Sequence, residues 1–249
     1  MRTLFLSWQD SAASRAWFPI GRLDVDRAVD RYVFRYTKGA AQAQNEAGFQ
    51  PMLAFPKLDG VYESAELFPL FKNRVLDPQR QDFAEYLKWL DLSPDHADPV
   101  EILAVAGGER QTDSFEVFPK VEKADDGTFR CRFFLHGLRH MSAAARDRVA
   151  WLKPGDALQV CLELNNPATM GAIQLQTTDY HILGWTPRYL VTDIVRALAE
   201  APHVDAAVIR INETPAPLNK RVLIELRGRF SPTYEPMSSG QFEPIQPFH

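Results

Sequence analysis

Apolar and polar positions alternate from the start of the chain. Leu4, Leu6 and Trp8 fall on one side of a period-two pattern and Phe5 and Ser7 on the other, which predicts a strand. Trp17 to Leu23 and Tyr32 to Tyr36, rich in aromatic and β-branched residues, predict two more. The pattern then changes. Ala40 to Ala47 reads as a short polar helix, and Leu67 to Phe71 and Asp82 to Leu92 as further helices. In the last of these, Phe83, Tyr86, Leu87 and Leu90 follow the spacing of one buried helical face. Pro99 to Ala106 predicts another helix, with Asp98 as N-cap and Pro99 at its first position. Phe115 to Phe118 closes this half as a strand.

Beyond residue 128 the period is mostly two. Strands are expected at Phe129 to Leu135, Gln159 to Leu164, Ala172 to Thr177, His181 to Trp185, Ala206 to Ile211 and Val222 to Leu226. Lys153-Pro154-Gly155-Asp156 is a turn sequence. Pro187 to Ala199 is the one clear helix of this half, with Tyr189, Leu190, Ile194 and Leu198 sharing a face. Many strands and few helices in so short a span suit a small antiparallel barrel. The expected fold class is α+β: a mixed α+β module, then a small OB-like antiparallel barrel with one main helix.

Two breaks divide the chain. Lys120 to Thr128 is charged, contains Asp126-Gly127 and reads as a linker or a hairpin turn. From Ser231 on, prolines at 232, 236, 244 and 247 and Ser238-Ser239-Gly240 predict an extended or disordered tail. The expected organisation is therefore 1–119, a turn at 120–128, 129–232, and a tail at 233–249. The net charge of −4 hides an asymmetry. Residues 1–128 hold 15 Lys and Arg against 21 Asp and Glu, net −6; residues 129–232 hold 13 against 9, net +4; the rest is net −2. A basic module beside an acidic one suits a polyanionic partner for the basic half. No apolar run is long enough to span a bilayer, and Met1 to Trp8 lacks the features of a signal peptide, so a cytoplasmic location and no membrane partner are expected. Two cysteines, Cys131 and Cys161, cannot supply a disulfide framework and read as structural thiols.

The second half resembles the HIRAN domain. The residues that carry this are Gly137-Leu138-Arg139, Leu152 to Asp156, Asn166-Pro167, Ala172-Ile173 and Gly184-Trp185-Thr186-Pro187-Arg188-Tyr189-Leu190. The resemblance implies an OB-like barrel that binds single-stranded DNA at its 3′-hydroxyl end. Three positions depart from the family pattern. Its Tyr-Asp after Asn-Pro is Ala168-Thr169, its later Asn is Gly171, and its aromatic after Gly-Leu-x is His140. The base-stacking tyrosine and the acid that accepts from the sugar hydroxyl are thus replaced. Arg139, His140, Asn166 and Trp185 stand at matching places and would contact phosphate or stack on a base. The first half resembles the N-terminal subdomain of HipA-type toxin kinases. This rests on Tyr32-x-Phe34-x-Tyr36, Ser64-x-x-Leu67-Phe68-Pro69-Leu70-Phe71-x-Asn73 and Leu103-x-x-x-Gly107-Gly108. It implies a regulator of a separately encoded HipA-type kinase or of a helix-turn-helix partner, because the kinase core has no counterpart in the chain.

No phosphate-binding loop, dinucleotide fingerprint, zinc-protease motif or nucleophile elbow occurs, so no catalytic residue and no cofactor is nominated. Cys131, His136, His140, Cys161 and His181 lack the paired spacing of a zinc site, so no metal is expected. Arg188 follows the Trp185 turn, and Arg227 and Arg229 share a strand face; with Arg139 they would form a basic rim. The leading expectation is a non-catalytic nucleic-acid binder with Arg139, His140, Asn166, Trp185, Arg188 and Arg229 as contacts. A protein-interaction regulator is the alternative. A hydrolase of nucleic acid or nucleotide is a third reading.

Overall fold

The computed structural model describes residues 1–11, 13–110, 112–167, 169–200 and 203–246. The chain is α+β, with two antiparallel sheets and, among the described residues, six α-helices. It divides into two units. The first comprises Met1–Phe83, Asp95–Lys120 and the segment from Met237; the second comprises Ala84–Pro94 and Val121–Pro236. Among the described residues no helix is long and apolar enough to cross a membrane.

Up to Lys120 the chain forms β1 (Arg2–Gln9), β2 (Trp17–Asp26), β3 (Arg31–Tyr36), α1 (Lys38–Ala47), β4 (Val61–Ser64), α2 (Pro69–Lys72), α3 (Phe83–Trp89), α4 (Pro99–Ala106) and β5 (Phe115–Pro119). All belong to the first unit except α3, which lies in the second from Ala84 on. The strands form one antiparallel sheet in the order β4-β3-β2-β1-β5. β1 is buried at five consecutive positions rather than at alternate ones, because both faces of the sheet are covered. On one face Leu4, Leu6, Leu23 and Phe34 join Ala40, Ala43, Phe55, Phe71 and Leu103 in a single core. On the other, Phe5 packs against Phe118 and Phe242. α4 begins as its sequence predicts: the Asp98 carboxylate accepts from the backbone N–H groups of Val100 and Glu101, and Pro99 occupies the first turn. The helix expected at 67–71 starts only at Pro69, whose fixed φ suits a first helical position. β4 has too little apolar alternation to be read from sequence.

The expected tail is a working part of this unit from residue 237 on. Phe242 is buried and lies 4.9 Å from the Phe5 ring. Ile245 N–H donates to Tyr36 O, Thr37 bridges Pro244, and Lys38 pairs with Glu243. Proline density marked the lack of regular structure here, but single anchoring side chains such as Phe242 lie below any periodicity.

The second unit contains β6 (Thr128–Phe134), α5 (Ala143–Val149), β7 (Ala157–Asn166), β8 (Met170–Thr177), β9 (Ile182–Trp185), α6 (Val191–Glu200), β10 (Asp205–Ile211) and β11 (Val222–Arg229). All pairings are antiparallel and run β6-β11-β10-β7-β8-β9. The ladders do not close into a continuous barrel. Between the two edges, one antiparallel bridge, His136↔Trp185, joins β9 to the chain just past β6. The 120–128 segment is a tight turn: Ala124 N–H donates to Thr128 O, Gly127 N–H to Ala124 O, and Lys123 bridges Phe129. The helix expected at 187–199 opens as a 3-10 turn over Arg188–Leu190 before α6. α5 was not foreseen; its N-cap is Ser142, whose hydroxyl accepts from Ala145 N–H.

Candidate nucleic-acid interface

Where β6 ends, Gly137 takes a left-handed φ of 80° and the chain turns into a 3-10 helix at Leu138–His140. Leu138 is buried and anchors that turn, which leaves Arg139 and His140 exposed. Arg139 Nε donates to His140 Nε2 at 2.9 Å, so guanidinium and imidazole form one planar-rich pair at the surface.

Trp185 stands at the end of β9, half-buried, and is held from several sides. Its backbone exchanges both hydrogen bonds with His136, each 3.0 Å. Its ring lies against the bare Cα of Gly137; a Cβ there would meet the ring at 2.4 Å. Its indole N–H donates to Glu163 Oε2 at 2.6 Å. The same carboxylate oxygen accepts from Asn166 Nδ2 at 3.0 Å, and Asn166 Oδ1 accepts from Thr169 Oγ1 at 3.0 Å. The β7–β8 ladder is irregular between Glu163 and Asn166, where Asn166 reaches back to the carboxylate three residues earlier.

The structure therefore brings together four of the six nominated residues. Asn166 and Trp185 share Glu163, and Arg139 and His140 stand on the turn whose Gly137 supports the Trp185 ring. Arg188, exposed, follows on the next turn, three residues along the chain. Arg229 is not with them. On β11 it pairs with Thr128 at the start of β6, eight residues before His136, about 25 Å away by the rise of a strand. The single basic rim joining Arg139 to Arg227 and Arg229 is thus corrected to two separate places, because β6 and β11 run the full length of the sheet between them. Ala168, where the family tyrosine would stand, lies outside the described residues. Glu163 was missed, although a carboxylate between Leu162 and Leu164 in an apolar strand is a signal that a donor awaits it.

A second cluster surrounds Glu225, the charge inside the apolar run Val222 to Leu226. Its side chain is 1% exposed. Arg132 Nε donates to one carboxylate oxygen at 2.9 Å and Arg227 Nε to the other at 2.6 Å. Asp91 in turn engages Arg132 and Arg210, each at 3.3 Å. Burial alone would raise the Glu225 pKa, but hydrogen bonds from Arg132 and Arg227 and the charge of Arg130 outweigh it and hold it below the ordinary value of 4.5. A carboxylate depressed in the folded state contributes stability above its unfolded pKa, and that contribution is lost as pH falls through the folded value. The second unit is therefore expected to melt at lower temperature as pH drops below about 4.5. Glu225→Gln should flatten that part of the profile, as followed by circular dichroism melts; parallel profiles for the two proteins would contradict the assignment. A cleft of about 400 Å³ opens beside this cluster, bounded by Pro154, Gly155, Asp205, Ile209 and Arg227.

Among the described residues no group of three or more His, Cys, Asp and Glu side chains is placed to hold a metal ion. Cys131 is buried, and burial with the nearby Asp193 and Glu225 charges pushes its thiol up to about 12. Cys161 is half-buried and accepts from Gln176 Nε2.

No protein-family model and no curated protein matches the chain. The chain is similar to a protein from Lactobacillus plantarum known from a structural-genomics crystal structure, at 16% identity over 41% of this chain and 97% of that one, with a TM-score of 0.33.

Proposed function

We propose that the second unit is a HIRAN-like module, its sheet an OB-like barrel joined through the His136–Trp185 bridge, and that it binds single-stranded DNA or a DNA end without catalysis. The observation that carries this reading is the fixed Trp185 ring beside Arg139, His140 and Asn166. A base stacks on Trp185 or His140, and such stacking is worth about 1–3 kcal/mol per base. Arg139 neutralises a phosphate. Among the described residues both donors to Glu163 use Oε2, and Oε1 is placed to accept from a sugar hydroxyl or a base amine. That gives the site an acceptor where the family's own acid is replaced. Pinning the indole through its N–H removes rotamer freedom before the ligand arrives, which lowers the ordering cost of binding.

Fluorescence anisotropy with a labelled single-stranded oligonucleotide tests this. Wild-type protein is expected to bind with an affinity that falls as salt rises. Arg139→Ala should weaken binding and make the log–log salt slope shallower by about 0.7. Trp185→Ala should weaken binding about 5- to 100-fold, the equivalent of one lost stack, while Trp185→Phe keeps most of it. A 3′-blocked oligonucleotide and a duplex report whether an end is required. Indifference of oligonucleotide affinity to both alanine changes would remove the reading.

A further inference from the structure

We propose that the β6–β11 face of the second unit is a second anion-binding surface, in which Arg130 and Arg229 grip the sugar-phosphate backbone of a nucleic-acid strand over a scaffold of Arg132, Glu225 and Arg227. The inference rests on the nucleic-acid reading of this unit but uses none of the side chains at the Trp185 site.

The register places Arg132 opposite Glu225, Arg130 opposite Arg227 and Thr128 opposite Arg229. Directly opposed residues share a face, so four arginines stand in two rows on it. The rows are about 5 Å apart, and successive same-face residues along a strand are about 7 Å apart. Like charges opposed across strands are destabilising, and Arg130 faces Arg227. One buried carboxylate between them accounts for only half of the set. Its two oxygens are satisfied by Arg132 and Arg227. Arg130 approaches it only to 3.7 Å, and its own side chain is 61% exposed. Arg229, 60% exposed, meets Asp126 only at 3.9 Å. Exposed pairs at such distances contribute little to stability.

Two guanidinium groups, each with five donors in a fixed fork, thus stand beside two others that hydrogen-bond the Glu225 carboxylate. The arrangement suits a ligand that repeats its negative charge along a line. A single small anion would leave one of the two rows unused. Asp205, opposite Arg227 on β10, makes that side and the adjoining cleft unfavourable to phosphate. The Arg132–Glu225–Arg227 contacts stiffen the scaffold and hold the rows in place. This accounts for a charge buried where an apolar residue would otherwise serve.

The test is the double variant Arg130→Gln/Arg229→Gln, which leaves both hydrogen-bonded partners of Glu225 intact. It is measured in the full chain beside Trp185→Ala, by anisotropy of a labelled oligothymidine across a salt series. An unchanged melting temperature confirms that the double variant is folded. The expected result is a loss of affinity of about tenfold near 0.1 M salt and a log–log salt slope shallower by about 1.4, for two lost single-strand phosphate contacts. Unchanged affinity and slope in the double variant, with wild-type binding intact and lost in Trp185→Ala, would overturn the second surface and leave the Trp185 site standing. Binding lost in the double variant but untouched by Trp185→Ala would support the surface and remove the Trp185 site. Wild-type protein that fails to bind oligothymidine even at low salt overturns both. Competition by inorganic phosphate at the same charge concentration as effective as that by polyphosphate would overturn the extended-strand geometry.

Discussion

Phe34→Ala is expected to destabilise the first unit by about 3–5 kcal/mol, the usual cost of emptying an aromatic site in a packed core. Phe34 is fully buried. Its ring stacks on Phe55 at 4.1 Å and 22°, and meets Tyr36 at 5.3 Å and 76° and Phe71 at 6.0 Å. The partners cannot simply close over the gap, because Tyr36 is tied down. Its hydroxyl donates to Phe55 O at 2.8 Å and accepts from Met52 N–H at 2.7 Å. Burial pushes that phenol up to about 12, against a smaller opposing effect of the Met52 hydrogen bond, so it stays a donor through ordinary alkaline pH. The Phe34 ring is therefore the floor on which the segment containing Met52 and Phe55 rests. Denaturant unfolding followed by fluorescence should show the loss. A change below about 1 kcal/mol would mean that the site collapses freely and that the aromatic cluster is not the centre of this core.

Gly184→Ala should disable the second unit. Gly184 has φ 153°, and a Cβ would stand 2.2 Å from the backbone oxygen of His136. That same oxygen accepts from Trp185 N–H at 3.0 Å. Relief would require the backbone at His136 to retreat, and neither partner is the loose end of a side chain. Backbone strain and overpacking each cost about 1–3 kcal/mol, so a combined loss of about 3 kcal/mol or more is expected. The two edges of the sheet would separate at their only bridge among the described residues, and the Trp185 ring would lose its seat on Gly137. Thermal melts and oligonucleotide binding should fail together. An alanine variant with wild-type melting would show that the bridge is dispensable.

Much of the architecture could be read from pattern alone, and the exceptions have physical causes. β1, β2 and β3 announce themselves by aromatic and β-branched alternation, and α4 by Asp98 and Pro99 at its start. α5 was overlooked because Ala143 to Val149 carries a weak apolar stripe, with only Ala145 and Val149 buried. α3 was placed with the first half on its apolar spacing, yet Ala84–Pro94 belongs to the second unit. Amphipathic spacing says that a face will be buried but not against what. At the candidate site, the placement of Arg139 and Trp185 at turns was readable. The shared hold of Glu163 on Trp185 and Asn166 was not, since it comes with an irregular β7–β8 ladder. Arg229 was misgrouped because strand-face parity is visible in a sequence and distance along a sheet is not.

The return of residues 237–246 to the first unit has a consequence for how the protein is made. Phe242 is needed against Phe5, and Ile245 against Tyr36, so on a ribosome the N-terminal sheet emerges long before the residues that complete it. While the intervening unit is made, one aromatic face stays uncovered, and such transiently exposed surface is what invites misassociation. Final consolidation of this sheet thus waits on residues 237–246, and termination near residue 236 would yield a chain whose N-terminal sheet lacks its second cover.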